Sequence, residues 1–127
     1  MSPIRLDAGE FEDLVAAAVD ELPEMFLDML DNVDIVVEDW PDRHTLALTG
    51  AASRYELLGF YHGVPQTVRP HDYGSVAPDK ISIYQRPIEA QCQSFAEVRQ
   101  LAGRVVRHEI AHHFGIDDDR LREIGAY

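Results

Sequence analysis

The stretch HEIAHHFGIDDD, residues 108 to 119, brings histidine, glutamate and aspartate side chains together near the end of the chain. His108 and His112 are four residues apart, so on a helix they lie one above the other with Cβ atoms roughly 5–6 Å apart. From that separation two imidazoles can bind one ion. Glu109 lies about 100° around the helix from His108, which suits a base that reaches a water on the metal better than a third ligand. The pattern predicts a metal site with a general base beside it.

A third protein ligand is needed if a tetrahedral zinc ion is to keep its fourth position open for water. Gly115 follows His112 by three residues, where a glycine can adopt a left-handed conformation, end the helix and reverse the chain. Asp118 comes ten residues after His108, and such a turn can bring it back to the histidines. We therefore predict Asp118 as the third ligand of one zinc ion per chain, with Glu109 as the general base.

The same residues also fit a site without metal. In that interpretation the two histidines are core residues with ordinary hydrogen-bond partners, Glu109 is solvated, and the aspartates cap a last helix, DRLREIG. Asp119 or its neighbour can cap that helix while Asp118 turns inward, so the acidic run can serve both purposes. His113 lies about 140° from the His108 direction, and we leave it outside the metal shell.

A capped amphipathic helix must carry the two histidines. The sequence SFAE gives Ser94 as an N-cap and Glu97 as its partner in a reciprocal capping box, so we expect the helix to begin at about Phe95. The histidines continue its apolar stripe and are expected on the buried face. The stripe consists of Phe95, Val98, Leu101, Ala102 and Val105.

The N-terminal part of the chain supplies the rest of the helical core. Apolar residues at spacings of three and four predict a helix over roughly residues 8 to 22. The stretch PEMFLDML predicts a second, short helix with Pro23 at its first position. Its side chains expected to point inward are Met25, Phe26, Met29 and Leu30.

Three stretches predict strands: VDIVVE at 33 to 38, ELLGFYH at 56 to 62, and KISIYQR at 80 to 86. Residues 39 to 55 are ambiguous. The loop from Gly63 to Asp79 is long enough to indicate function or mobility, and we expect it to close over the site.

Composition limits the classes of function. A length of 127 residues suits one domain spanning 1–127. The net charge of −12 opposes phosphate neutralisation, which argues against DNA or RNA as a partner and against a metal-dependent ribonuclease. No secretory signal or run of eighteen apolar residues occurs, so we expect a cytoplasmic protein with no membrane partner. Cys92 is expected to be a small buried hydrophobe.

Five residues resemble the extended signature H-E-x-x-H-x-x-G-x-x-D, a variant of the metzincin pattern whose last member is usually histidine: His108, Glu109, His112, Gly115 and Asp118. Together with LLGFYHGVP at 57 to 65 and ISIYQRPIE at 81 to 89, the chain resembles a family of small bacterial zincin-like metallopeptidases, sometimes described as minimal zincins. The resemblance implies an α+β fold, in which a small twisted sheet of about three to four strands packs on the active-site helix and an N-terminal helix. It also implies zinc held by the two histidines and Asp118, with Glu109 as base.

The resemblance implies hydrolysis of an amide bond in a peptide or a small amide substrate, which can lie along a sheet edge. Larger metzincins carry a Met-turn beneath the metal, whereas only nine residues follow Asp118 here and none is methionine. The rival function is therefore a zinc-binding domain that binds a peptide or partner without turnover. Four residues have side chains of a suitable type to stabilise an oxyanion, but the sequence selects none of them: Tyr61, His62, His71 and Tyr84.

Overall fold

A computed structural model describes residues 4–63, 79–116 and 118–123, except for the side chains of Asp118 and Leu121. The helices are α1 (Ala8–Asp20), α2 (Glu24–Met29), α3 (Arg43–Thr49), α4 (Gln85–Glu89), α5 (Phe95–His113) and α6 (Asp118–Glu123). The strands are β1 (Val33–Glu38), β2 (Gly59–His62) and β3 (Asp79–Tyr84). Among the described residues, no helix is long and apolar enough to cross a membrane.

Helix α1 confirms the first predicted helix, and its start is fixed by a capping box that the sequence analysis overlooked. The Asp7 carboxylate accepts a hydrogen bond from the Glu10 N–H, and the Glu10 carboxylate accepts one from the Asp7 N–H. The second predicted helix is also present, but Pro23 is its N-cap rather than its first helical residue. Phe26 is fully buried, whereas Met25 is 39% exposed, so the prediction of an inward Met25 is wrong. In so short a helix only one narrow face reaches the core.

The sheet has the order β1-β3-β2 among the described strands. Strand β1 pairs in parallel with β3, and β2 pairs with β3 in antiparallel. Ile81 and Ile83 of β3 are fully buried in a core that α1 and α5 share. Helix α5 therefore packs beneath the sheet with the N-terminal helix α1 beside it, and the predicted α+β fold is confirmed. Cys92 is buried in the same core, as expected.

The strand boundaries show where local pattern was insufficient. Strand β1 matches the predicted range, but β2 begins only at Gly59, and Gln85 and Arg86 belong to α4 rather than to β3. Residues 39 to 55, which the sequence left ambiguous, contain helix α3. Asp42 caps this helix by accepting a hydrogen bond from the Thr45 N–H. Residues 64–78 of the predicted long loop lie outside the described residues.

Candidate metal and catalytic site

Helix α5 begins where the sequence predicted, with a modified cap. The Ser94 hydroxyl oxygen accepts a hydrogen bond from the Glu97 N–H at 3.1 Å, as expected. The Glu97 carboxylate accepts from the Gln93 N–H at 2.7 Å, one residue before the N–H that a reciprocal box would use. Phe95 is 52% exposed, so its predicted inward position is wrong, because the first turn lies at the rim of the core. From Val98 onward the predicted stripe packs inward.

The two predicted histidine ligands lie side by side on the last two turns of α5. Their ring centroids are 6.0 Å apart and the ring planes differ by 19°. His108 is half-buried and its Nε2 atom is buried, whereas His112 is exposed. Ile110 and Ala111 of α5 are fully buried beyond His108, but the buried face does not include His112, so the prediction of an inward His112 is wrong. The pair presents one imidazole held by the core and one at the solvent boundary.

Gly115 ends α5 in the conformation that the sequence predicted. Its φ of 77° lies in the left-handed region, where a side chain would be strained. The Ile116 N–H donates to the Ala111 carbonyl at 2.7 Å, and the Gly115 N–H donates to the His112 carbonyl at 3.2 Å. This pair of bonds is a Schellman motif, and Ile116 packs against the core beside it. The motif reverses the chain directly after the histidines.

Helix α6 begins at Asp118, so the predicted third ligand is the first residue of the helix that follows this reversal. The side chain of Asp118 and the whole of Asp117 lie outside the described residues. Within the described parts of the chain, no three histidine, cysteine, aspartate or glutamate side chains form a group that could hold a metal. Asp119 faces solvent and accepts a hydrogen bond from Arg122 at 3.3 Å. Two imidazoles and one carboxylate are the donor set of catalytic zinc sites, so the predicted ligands fit zinc by their chemistry.

Glu109 lies between α5 and the outer edge of β2. Its side chain is half-buried, and burial raises the pKa of its carboxyl group. Two smaller effects oppose the shift: the charge of His112, and a hydrogen bond that the backbone N–H of Tyr61 donates to the carboxylate. A carboxylate with a raised pKa is a stronger proton acceptor. The predicted base is therefore held in place by the edge of the sheet.

Gly59 explains how β2 comes so close to α5. A Cβ atom at this position would lie 2.5 Å from Cγ1 of Val105 and 3.1 Å from the Ser82 carbonyl oxygen. Both distances are shorter than van der Waals contact, so only glycine fits without displacement of β2 or of α5. The close approach places Tyr61, two residues further along β2, within reach of Glu109.

A cluster of three polar side chains, His113, Tyr61 and Asp79, borders the site. The sequence analysis did not predict that these residues contact one another. His113 stacks on the Tyr61 ring, with centroids 3.8 Å apart and planes 11° apart. The Tyr61 hydroxyl donates to Asp79 at 2.8 Å, and Nε2 of His113 lies 3.9 Å from the same carboxylate oxygen. The sequence analysis left His113 outside the metal shell but did not predict its partner, because that contact depends on where β2 and the start of β3 lie. Local spacing contains no signal for that contact.

The four residues considered for oxyanion stabilisation are in different surroundings. The Tyr61 hydroxyl is engaged by Asp79 as described above. Nε2 of His62 is 3.1 Å from the Ser82 hydroxyl, which also donates to Glu38. Burial, followed by the charge of Lys80, lowers the pKa of His62. Tyr84 is only 1% exposed, and His71 is not among the residues that the structure describes.

The fold and the site together define an α+β protein whose core helix presents a histidine pair and a glutamate at the edge of a small sheet. The family model described as zincin-like metallopeptidase matches residues 30–126, which is more than half of the chain. The chain belongs to this family. No curated protein sequence matches it.

Proposed function

We propose that this chain is a zinc-dependent peptidase in which His108, His112 and Asp118 bind the metal. Glu109 is the general base for hydrolysis of an amide bond in a peptide. Membership of the zincin-like metallopeptidase family supports the class of reaction. One observation carries the assignment of the base: the Glu109 carboxylate lies one helical position from His108 and accepts the backbone N–H of Tyr61.

That contact favours a chemical role over a purely structural one. A carboxylate that only supports a metal accepts a hydrogen bond from a ligand histidine. The hydrogen bond to Glu109 comes instead from the backbone of Tyr61, and its position beside the histidines suits a base that reaches a water on the metal. Because the exposed His112 ring borders solvent, a substrate can approach the same end of α5. The Schellman turn at Gly115 reverses the chain only three residues before Asp118, so a short connection joins the histidines to the proposed third ligand.

The proposed reaction assigns each proton transfer to Glu109. Zinc, when bound, supplies Lewis-acid activation of water and of the substrate carbonyl. Glu109 accepts a proton from the attacking water at a carboxylate oxygen while the water oxygen bonds to the carbonyl carbon. As the carbon–nitrogen bond breaks, Glu109 donates that proton to the departing amine. The hydrogen bond from Tyr61 keeps the carboxylate oriented during both transfers.

The outer edge of β2, where Glu109 already occupies the Tyr61 N–H, is the proposed place for the substrate backbone. Phe60 pairs with Ser82 of β3, and the Leu58 carbonyl accepts from the Tyr84 N–H, so the intervening residues point their backbone groups away from β3. An extended peptide on that edge runs past Glu109 and gains main-chain hydrogen bonds. The side-chain preferences of the substrate are outside this proposal.

The substitution Glu109→Gln tests the enzyme against the rival function, a domain that binds without turnover. Glutamine keeps the size of the side chain but cannot accept a proton, so zinc content should stay near that of the unmodified protein. The rate of peptide hydrolysis, measured across an unbiased peptide library with metal content matched, should fall by roughly 10²–10⁴. The matched control is Glu24→Gln, an exposed position on α2.

Two results would count against the enzyme. Equal turnover by the Glu109→Gln and Glu24→Gln variants would remove Glu109 from the mechanism. A library with no hydrolysed member, tested with fully zinc-loaded protein and with chelated protein as the reference, would favour the binding function.

A further inference from the structure

An apolar groove of about 590 Å³ lies at the β1 edge of the sheet. The candidate catalytic site lies at the opposite edge, beside β2. Helix α1 forms one wall, with Val15, Ala16 and Val19, and the outer edge of β1 forms the other. Ile35 and Val37 of β1 line it and are only half-buried, although both are large aliphatic residues. We name this feature the β1 groove.

The backbone of β1 is open toward the groove. The Asp79 N–H donates to the Asn32 carbonyl at 3.1 Å, so Asn32 points toward β3, while the Val33 N–H turns back to the Leu30 carbonyl. The backbone N–H and C=O groups of successive residues in a strand point alternately to its two sides. The backbone groups of Ile35 and Val37 therefore point away from β3 and into the groove. Such an edge is a template for another strand.

Strand β1 carries two acidic residues, Asp34 and Glu38, but it lacks three other features that protect an edge. Its six residues, VDIVVE, include no lysine and no proline, and they pair with β3 in continuous register without a bulge. A β-branched edge beside an apolar groove is the arrangement that accepts an added strand, since main-chain bonds give affinity and the groove accepts alternate side chains.

The charged residues of the groove determine what kind of strand it fits. Among the described residues that line it, the ionisable ones are Glu12 and Asp20, both exposed on α1. They are eight residues apart on the helix, a separation of about 12 Å at 1.5 Å per residue. In an extended strand at about 3.3 Å per residue, positions i and i+4 are about 13 Å apart and point to the same face.

We infer that the β1 groove binds an extended basic segment of another protein, with Lys or Arg at positions i and i+4 and an aliphatic residue at i+2. The basic side chains pair with Glu12 and Asp20, and the aliphatic one enters the groove. A second copy of this chain is disfavoured as the occupant, because its own net charge is −12 and its β1 carries acidic residues. This inference does not depend on the proposed peptidase activity.

The test uses the full chain and a labelled, end-capped synthetic peptide, Gly-Ser-Lys-Thr-Val-Thr-Lys-Ser-Gly. Fluorescence anisotropy should show saturable binding, unchanged by a chelator or by Glu109→Gln. Exchange of both lysines for glutamate, or N-methylation of alternate peptide amides, should abolish it. Backbone amide shifts in NMR spectra should change at Ile35, Val37 and α1.

Variants of the groove test separately the contribution of its apolar surface and that of its two carboxylates. Ala16→Trp fills the groove from an exposed helical position and should weaken binding at least tenfold. Glu12→Gln with Asp20→Asn should weaken it by about three- to tenfold at low salt, the effect of two exposed ion pairs. The charge-matched control, Glu24→Gln with Asp28→Asn on α2, should leave it unchanged.

Three results would overturn the inference. One is equal binding of the glutamate peptide, and another is a shift map confined to β2 and α5. The third is a dimer, detected by analytical ultracentrifugation, that Ala16→Trp dissociates, because the groove would then be occupied by a second copy.

Discussion

The two edges of the sheet differ in how close a helix comes to them. At β2, α5 lies so near that Glu109 reaches the edge and accepts the Tyr61 N–H. At β1, α1 stands back and leaves the groove of about 590 Å³ beside an edge of similar chemistry. Both edges present backbone donors, and within the described parts of the chain a side chain accepts from one of them at β2, where Glu109 binds the Tyr61 N–H.

The two proposals therefore assign chemistry to one edge of the sheet and binding to the other. Close approach depends on Gly59, since a Cβ atom there would meet Val105 and the Ser82 carbonyl. The same approach half-buries Glu109, and burial raises the pKa of its carboxyl group. The β1 edge has no buried carboxylate among its lining residues, and its acids are exposed. We therefore expect changes at one edge to leave the other edge unaffected.

The largest expected effect comes from removal of a histidine. His108→Ala or His112→Ala should abolish zinc binding, because two remaining protein ligands are too few for a stable open site. Elemental analysis after zinc reconstitution gives the metal content, and His44→Ala on the exposed face of α3 is the control. Binding of the basic peptide to the β1 groove should persist in both variants. If the unmodified protein carries no zinc after reconstitution, the metal site itself is wrong.

A smaller loss is expected from the aspartates. Asp118→Ala should weaken zinc affinity by more than about 100-fold, beyond the usual effect of a residue that only supports a ligand. Asp117→Ala and Asp119→Ala should have little effect, and Asp119 in particular faces solvent and pairs with Arg122. Competition with a chromophoric chelator measures all three affinities. Equal losses would mean that the acidic run acts as a diffuse field and that Asp118 is not the third ligand.

Much of the helical framework could be predicted because its signals are local. The Ser94 cap, the left-handed Gly115 and the spacing of His108 and His112 all depend on residues within one or two turns. Strand β1 was also predicted with its observed bounds, since four of its six residues are β-branched. Helix α3 had a usable signal that was overlooked, an Asp42 cap and a left-handed Gly50 at its end.

The remaining features depend on contacts between distant parts of the chain. Gln85 was predicted in a strand but belongs to α4, where its side-chain amide donates to the Leu6 carbonyl at 2.8 Å. Likewise, the hydrogen bond between Tyr61 and Glu109 requires β2 to lie against α5, which periodicity does not indicate. His112 was expected to be buried because helical spacing predicts which way a side chain points. Spacing does not predict whether other residues cover that side chain.

The smallest expected effect concerns the spacing between β2 and α5. Gly59→Ala should lower the free energy of unfolding by roughly 1–3 kcal/mol, the usual cost of overpacking, because the β-branched Val105 has little freedom to move away. Urea denaturation measures the change, and Gly9→Ala, where a Cβ atom meets only Asp7 at 3.5 Å, should cost nothing. In a Val105→Ala background the Gly59→Ala cost should shrink, since the atom 2.5 Å away is gone.

The same variant tests whether the two edges are independent. A displaced β2 should lengthen the hydrogen bond from Tyr61 to Glu109, and the Tyr61 amide should then exchange faster with solvent than in the Gly9→Ala control. Affinity of the β1 groove for the basic peptide should remain within about twofold, because Ile35 and Val37 pair through β3 rather than through β2. Parallel losses at both edges would show that the sheet moves as one body and that close approach of α5 positions the β1 edge as well.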